Sequence, residues 1–381
     1  MGRHWTLCIE NNSNNTTMTL TEFTKIIALK VKRALSSWSR GKRIDVFLEN
    51  MFIEYNKVLG EINESSSIND LSFVETIEFI EQQILQSLKN YFNGHLYQAI
   101  TAIEDIFQKI DQVDGFNISV LRSNEIWFRG RIKEDNARLY EKNEMFHIPN
   151  HMREKVNNQR FSFNGYPCLY LGKSIWACWE ELNEPYLDDI CFSALKLTED
   201  IEVLDLSIPG NSVLENKTPD ELMKFLITLP LIISCSVKAL NEKANFKSEY
   251  VVPQLLMVSL INSHKFGGYM FSSTKRNPAL NWDESYLQNV VLPIGDAFDE
   301  KGLCISLKEK FHITDPICYK YEFLKSNISN MIAMSEQEID AIVNEICYEK
   351  KSKSQEKDMY PRALFGQMEE LLKTKEYFVI K

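Results

Sequence analysis

Residues 118–128, ISVLRSNEIWF, mark the point at which the pattern of this 381-residue sequence changes. They hold two short runs rich in β-branched and aromatic residues, separated by a polar turn, which is typical of neighbouring β-strands. Helix-length segments at residues 219–229 and 252–261 alternate with further short apolar runs downstream. Mixed strands and helices over about 180 residues predict a compact α+β domain. The further strands are predicted at residues 168–171, 190–195, 203–206, 269–271 and 290–292.

Upstream of this domain the apolar residues recur at helical spacing instead. Thr19 and Glu22 form a capping box that opens the first predicted helix. Two further helices carry apolar stripes over residues 73–88 and 96–110, with Gly94 at the turn between them. We expect the last two helices to pack antiparallel, because that arrangement buries both stripes.

The chain length favours two or three units. We predict a helical N-terminal module over residues 1–115, the mixed domain over residues 117–300 and a helical C-terminal extension over residues 301–381. The C-terminal assignment rests on a second capping box, formed by Ser335 and Glu338.

Composition narrows the functional class. The net charge of -10 and the absence of a basic stripe argue against nucleic acid as a partner, while a small anionic ligand remains compatible. The eight cysteines form no C-x-x-C pair, so neither a zinc site nor a disulfide framework is expected. No apolar run approaches the roughly 18 residues of a membrane span, and the start lacks the layout of a secretory signal. We therefore expect a cytoplasmic protein with no membrane partner.

Three arginines in the mixed domain are candidate anion ligands. Arg129 and Arg131 flank a glycine at the end of a strand, where two guanidinium groups and the backbone can approach an anion together. They could equally be strand-edge surface arginines. Arg160 lies in a turn beside aromatic residues, followed by Tyr170 and a Leu-Gly-Lys-Ser segment, and alone would be an ordinary loop residue.

Carboxylates and hydroxyls supply the other candidates. Glu180 and Glu181 are adjacent at the end of an apolar segment, so one should point inward and the other toward water. Tyr250 precedes a Val-Val-Pro-Gln segment. Ser272 and Ser273 end a strand led by two glycines, where ligand groups tend to lie, although both could simply cap the following turn.

The order of these residues resembles the RES family, which is named for its arginine, glutamate and serine. The resemblance covers residues 117–300, about half of the chain, and includes a Leu-Asp-Leu element at residues 204–206. The matching positions are Arg129, Arg160, Tyr170, Gly172, Ser174, Glu181, Tyr250, Pro253, Gln254, Gly268, Ser272 and Ser273.

The resemblance implies a fold similar to ADP-ribosyltransferases and a site that binds NAD. Carried over, it implies that Glu181, Arg129 and Ser273 are catalytic, with Glu181 preferred to Glu180 because it follows the serine of the motif by seven residues. Ser272 is the alternative to Ser273. The residues predicted to bind NAD are Arg131, from the Arg-Gly-Arg cluster, and the matched positions Arg160, Tyr170, Tyr250 and Ser272. Neither a metal nor a cofactor is expected, since NAD is the substrate.

Known members of that family include toxins that degrade NAD and are paired with antitoxins. We therefore expect cleavage of the nicotinamide–ribose bond by a bacterial toxin or anti-phage defence effector. Water or phosphate as acceptor gives an NAD glycohydrolase or a phosphorolytic enzyme. A protein acceptor gives an ADP-ribosyltransferase, and a non-catalytic NAD or ADP-ribose sensor is the rival class.

The N-terminal helices more loosely resemble the HEPN-like bundles found ahead of RES domains. The R-x4-6-H motif of HEPN ribonucleases is absent, so this module is expected to regulate or to form homo-oligomers. Because an NAD-destroying enzyme must be restrained, an antitoxin or a trigger protein is the expected partner.

Overall fold

The computed structural model describes residues 19–63, 71–134, 138–275, 284–318 and 364–381. The chain forms two compact units, each assembled from separate segments. The first unit consists of Met1–Ser119, Asn157–Asn164 and Val203–Asn281, and the second of Val120–Val156, Gly165–Glu202 and Trp282–Lys381. The predicted three-part division stays a prediction, and the Ser335–Glu338 capping box lies outside the described residues.

The first helix, α1 (Leu20–Leu35), begins where the capping box predicts. The Glu22 backbone N–H donates to the Thr19 hydroxyl at 3.2 Å, and the Thr19 N–H donates to the Glu22 carboxylate at 2.8 Å. These bonds satisfy donors that a helix start otherwise leaves unpaired. The prediction of this helix is confirmed.

The predicted helix pair is α3 (Leu71–Phe92) and α4 (Leu96–Gln112), which pack against each other. Gly94 joins them with a φ of 79°, the left-handed conformation that glycine adopts without strain. The apolar stripes are buried, so this prediction is also confirmed. One further helix, α2 (Ile44–Asn63), was not predicted.

The rest of the first unit combines helices with a small sheet. Strand β5 (Ile201–Leu206) lies between β1 (Ile118–Leu121) and β6 (Tyr269–Ser272), and it runs parallel to β6 with Leu204 opposite Tyr269. Parallel strands need a crossover connection, which the helices between them supply. These helices are α6 (Asn211–Glu215), α7 (Pro219–Cys235) and α8 (Val251–Ser263).

The second unit is built on an antiparallel sheet in the order β7-β3-β2-β4-β8-β9. The central pair is in continuous register from Ile126↔Lys196 to Ile132↔Ile190. The strands are β2 (Ile126–Ile132), β3 (Cys168–Gly172), β4 (Ile190–Leu197), β7 (Gln288–Pro293), β8 (Phe311–Thr314) and β9 (Tyr377–Val379).

The described residues of the second unit also form the α-helices α5 (Ile175–Glu181), α9 (Ile305–Lys308) and α10 (Leu364–Lys373). α5 and α10 share one apolar cluster with the face of the sheet that carries Phe128 and Phe192. The sequence predicts only helices for residues 301–381. The described part of this segment contains the strands β8 and β9 as well as α9 and α10.

The expected α+β class is confirmed, since helices and both parallel and antiparallel strand pairs are present. Each of the seven predicted strands corresponds to one of β1 to β7. Among the described residues, no helix is both long and apolar enough to cross a membrane.

Gly172 allows α5 to approach the end of β3 closely. A Cβ atom at this position would lie 2.8 Å from Cys178 Sγ and 3.0 Å from the Ser174 carbonyl oxygen. We expect Gly172→Ala to lower the free energy of unfolding by about 1–3 kcal/mol, because α5 must shift to make room. Urea unfolding checks this, with Gly60→Ala as control because a Cβ there meets nothing within 4 Å. Equal stability of the two variants would contradict the prediction.

Candidate active site

The helix that carries the predicted glutamate is fixed at its start. Ser174 is the N-cap of α5, and its hydroxyl accepts a hydrogen bond from the Ala177 N–H at 3.0 Å. Glu369 of α10 accepts a second bond, from the Ile175 N–H at 2.8 Å. Glu181 is the last residue of α5, two turns from this double cap. The serine of the motif thus positions the helix whose end carries the carboxylate.

The two adjacent glutamates point in different directions, as expected. Glu180 is only 4% exposed, whereas Glu181 is half-buried. The Asn289 side-chain amide, at the start of β7, donates to Glu181 Oε1 at 3.2 Å. Asn289 is itself buried, so it holds the carboxylate from a fixed position.

Tyr170 lies on the same face of the sheet as this carboxylate. Gly172 pairs with both Phe128 of β2 and Asn289 of β7, so these residues share a face. Tyr170 is two residues before Gly172, and side chains two residues apart in a strand point the same way. The ring is half-buried. An aromatic ring and a carboxylate held by Asn289 therefore lie on one side of the second unit's sheet.

Arg129 leaves β2 on the opposite face, because Phe128 points toward α5. Its Nη1 donates to the Tyr170 carbonyl oxygen at 2.8 Å, so the side chain holds β3 at that residue. Burial, with a smaller contribution from Arg131, lowers the pKa of Arg129 to about 10. The buried Arg129 Nε forms no hydrogen bond with any described residue, and neither does the hydroxyl of Ser193, its partner on β4.

Arg131 is engaged by the protein itself. Its guanidinium donates to the Glu144 carbonyl oxygen and lies 4.5 Å from the centre of the Tyr140 ring. It also forms an ion pair with Glu134 at 3.4 Å. An anion at this position would have to compete with these partners.

Arg160, in the first unit, is the most completely coordinated of the three arginines. It is 8% exposed, and its Nη1 donates to the carbonyl oxygens of Cys235 and Val237, both at 2.9 Å. Its Nη2 donates to the Thr274 hydroxyl, and its guanidinium lies 5.1 Å from the centre of the Tyr250 ring. Arg160 therefore joins α7, α8 and the segment after β6.

Gln254, one of the positions that match the RES family, holds the loop that carries Arg160. Its side-chain amide donates to the Gln159 carbonyl oxygen at 2.9 Å and also to the Asn158 side chain. These bonds fix residues 157–164, the loop that carries Arg160. Tyr250 and Gln254 thus position one and the same side chain.

The two serines perform local structural roles. The Ser272 hydroxyl accepts from the Ile208 N–H at 3.2 Å, across the carboxyl ends of β5 and β6. The Ser273 hydroxyl accepts from the Lys275 N–H at 3.3 Å. This is the turn-capping role that the sequence analysis gives as the alternative to ligand binding. Both serines remain half-buried.

The predicted residues therefore form two groups. In the second unit, Tyr170 and Glu181 lie on one face of the sheet, and Arg129, on the same strand as Arg131, contacts the Tyr170 backbone from the opposite face. The first unit brings Arg160 and Tyr250 into contact, and its β6 carries Ser272 with Ser273 directly after it. Contact of each residue with a substrate stays a prediction.

Two residues of these groups were missed by sequence reasoning, Asn289 and Thr274. Asn289 could have been noticed as an amide directly before the apolar run 290–292. Thr274 directly follows the predicted serines and carried no separate signal.

Arg160→Lys is expected to destabilise the first unit by about 2–4 kcal/mol, because one ammonium cannot reproduce a fork that holds two carbonyls and a hydroxyl. Arg122→Lys is the control, since Arg122 is an exposed side chain paired with Asp200. Denaturant unfolding followed by circular dichroism measures both variants. Unfolding of Arg160→Lys at the wild-type midpoint would contradict the structural role.

A curated relative is similar to most of the chain. A protein of Bacillus subtilis (strain 168) named "Putative toxin YopC" is 31% identical over 299 residues, which cover 74% of this chain and 67% of that protein. No family model matches the chain. No solved structure matches it either.

Proposed function

Because the chain belongs to the family of the Bacillus subtilis protein named "Putative toxin YopC", we propose that it is itself a toxin, one that destroys NAD. The proposed reaction is cleavage of the bond between nicotinamide and ribose. The observation that carries this proposal is the Glu181 carboxylate, held by Asn289 on the face of the sheet that also carries Tyr170. Tyr170 and Glu181 occur in an order that resembles the RES family.

Cleavage of the nicotinamide–ribose bond needs little more than a carboxylate fixed near the ribose. When the bond breaks, its electron pair moves to the nicotinamide nitrogen, and positive charge develops on the ribose ring. A fixed carboxylate stabilises that charge more strongly than it stabilises the ground state. Attack by water at the ribose carbon then gives ADP-ribose, nicotinamide and one proton.

The other residues have supporting roles in the proposal. Tyr170 offers a π face to the cationic nicotinamide ring. Arg129 acts as a positioning residue, because its Nη1 holds the backbone of Tyr170. Arg160 keeps an Nε–H beyond its three described hydrogen bonds, which can contact the pyrophosphate. Ser272 and Ser273 are proposed to contact the ribose or the carboxamide.

An antitoxin or another restraining partner follows from the proposed activity, because NAD is present in every cell.

Product analysis after incubation of the full chain with NAD tests the proposal. We expect nicotinamide to be released, together with ADP-ribose in water or an ADP-ribose phosphate when inorganic phosphate is the acceptor. Mass spectrometry distinguishes these products from a protein-linked ADP-ribose. Tight NAD binding without release of nicotinamide would contradict the enzymatic proposal and favour a sensor.

A further inference from the structure

A groove between α1 and α2 in the first unit encloses a cavity of about 930 Å³. α1 packs chiefly against α7 and α2 chiefly against α3, so the two helices contact each other little. The floor of the groove is apolar, and the first part of α2 leaves Val46 45% exposed beside it. The floor side chains are Ile27, Val31, Phe47, Met51, Tyr55 and Val58.

The rim of the groove is basic. Lys30, Arg33, Lys42 and Arg43 line it, and Glu54 is the one acidic side chain among the described residues that do so. Lys30 and Arg33 are exposed and form no ion pair with any described residue. This concentration of positive charge runs against the net charge of -10 of the whole chain.

We propose that the α1–α2 groove binds an acidic amphipathic helix of a second protein. An apolar helix face can fill the floor, as in other helix-in-groove complexes. The carboxylates that flank this face then lie opposite Lys30 and Arg33, for which the described residues supply no ion-pair partner. Charge complementarity of this kind selects the sign of the partner and speeds its association.

The proposed occupant is a helix of a separate protein. A groove between two helices suits a rod, and Lys30 and Arg33, which have no acidic partner among the described residues, lie on consecutive turns of α1, with Arg33 three residues after Lys30. They therefore match a row of carboxylates along a helix. In a toxin such a surface suits a restraining partner, yet the inference does not depend on the cleavage of NAD.

Synthetic peptides test the charge and the shape separately. The probe is a labelled helical peptide of about 16 residues with leucines at i, i+3, i+4 and i+7 and glutamates elsewhere. One control peptide replaces the glutamates with lysines, and another scrambles the leucine positions. Fluorescence anisotropy with the full chain should show the acidic amphipathic peptide binding at least about tenfold more tightly than either control.

Variants of the protein localise the binding. Lys30→Glu combined with Arg33→Glu should weaken binding of the acidic peptide at least about tenfold, roughly 1.4 kcal/mol. Lys57→Glu is the matched control, because Lys57 is an exposed lysine of α2 that does not line the groove. We expect the double variant to remain folded because both side chains are exposed, and circular dichroism checks this.

Several outcomes would overturn the proposal. They are no binding of the acidic peptide, equal binding of the lysine peptide, and unchanged binding by the double variant. Displacement of the peptide by decanoate would assign the groove to an amphiphile instead. A dimer that forms with the wild type and the control variant but not with the double variant would assign it to a second copy. Nicotinamide release from the same preparations is a separate readout, so failure of the NAD proposal and failure of this one are distinguishable.

Discussion

Glu181→Gln is expected to slow nicotinamide release from NAD by about 100- to 10,000-fold while leaving the fold intact. The glutamine retains the size of the side chain and can still pair with Asn289. It lacks the negative charge that stabilises the developing cation on the ribose. The loss should therefore appear in kcat rather than in KM, because the charge matters most in the transition state.

Glu202→Gln is the matched control for this variant. Glu202 is an exposed glutamate on β5, and its replacement removes the same charge elsewhere. Rates are measured by chromatography of released nicotinamide at saturating NAD. If Glu181→Gln remains as active as Glu202→Gln, Glu181 is not the residue that stabilises the transition state.

The second large effect is expected from a buried glutamate in the helical part of the first unit. Glu81 of α3 is 5% exposed, and the Asn56 amide of α2 donates to its Oε2 at 2.6 Å. Glu81 Oε1 and Asn56 Oδ1 are both buried and form no hydrogen bond with any described residue. One proton on Oε1 would satisfy both oxygens, because the acid could then donate to the amide carbonyl.

Burial raises the pKa of Glu81 to about 8, a net value in which the Asn56 hydrogen bond lowers the pKa and the nearby Glu78 raises it. The ordinary pKa of a glutamate in an unfolded chain is about 4.3. Between these two values the folded protein binds one proton more than the unfolded chain, so stability falls as the pH rises. Above the folded pKa the full penalty is present, about 3–5 kcal/mol.

Glu81→Gln is therefore expected to stabilise the protein by about 3–5 kcal/mol at pH 9 and to change its stability little at pH 4. The glutamine amide supplies, at every pH, the donor that Glu81 supplies only when protonated. Urea unfolding across this pH range measures the difference between the two curves.

Glu75→Gln serves as the control, since Glu75 is an exposed glutamate of the same helix. It should follow the wild-type dependence on pH. A Glu81→Gln variant that loses stability with rising pH as steeply as the wild type would show that Glu81 is already ionised in the folded protein.

The sequence predicts the elements better than it predicts their orientation. The strands β1 to β7 could be predicted because each is a short, strongly apolar run. β8 and β9 escaped because the stretches of sequence in which they lie, residues 308–315 and 373–381, are rich in charged residues. Their place in the sheet is set by pairing with β4 and with each other, which is tertiary information.

For the candidate site, too, the sequence predicts single residues better than it predicts which residues contact each other. The preference for Glu181 over Glu180 rests on the resemblance to the RES family, in which the glutamate follows the serine of the motif by seven residues. Asn289 lies 108 residues from Glu181, and no local pattern could connect them. The face on which Arg129 lies depends on which side of β2 α5 packs, and the sequence of β2 alone does not determine that.

A crystal structure with an uncleavable NAD analogue, in which a methylene group replaces the nicotinamide-ribose ring oxygen, tests the central claim most directly. The account predicts the nicotinamide ribose within hydrogen-bonding distance of the Glu181 carboxylate and the nicotinamide ring against Tyr170. An analogue that binds away from Glu181 and Tyr170 would contradict it.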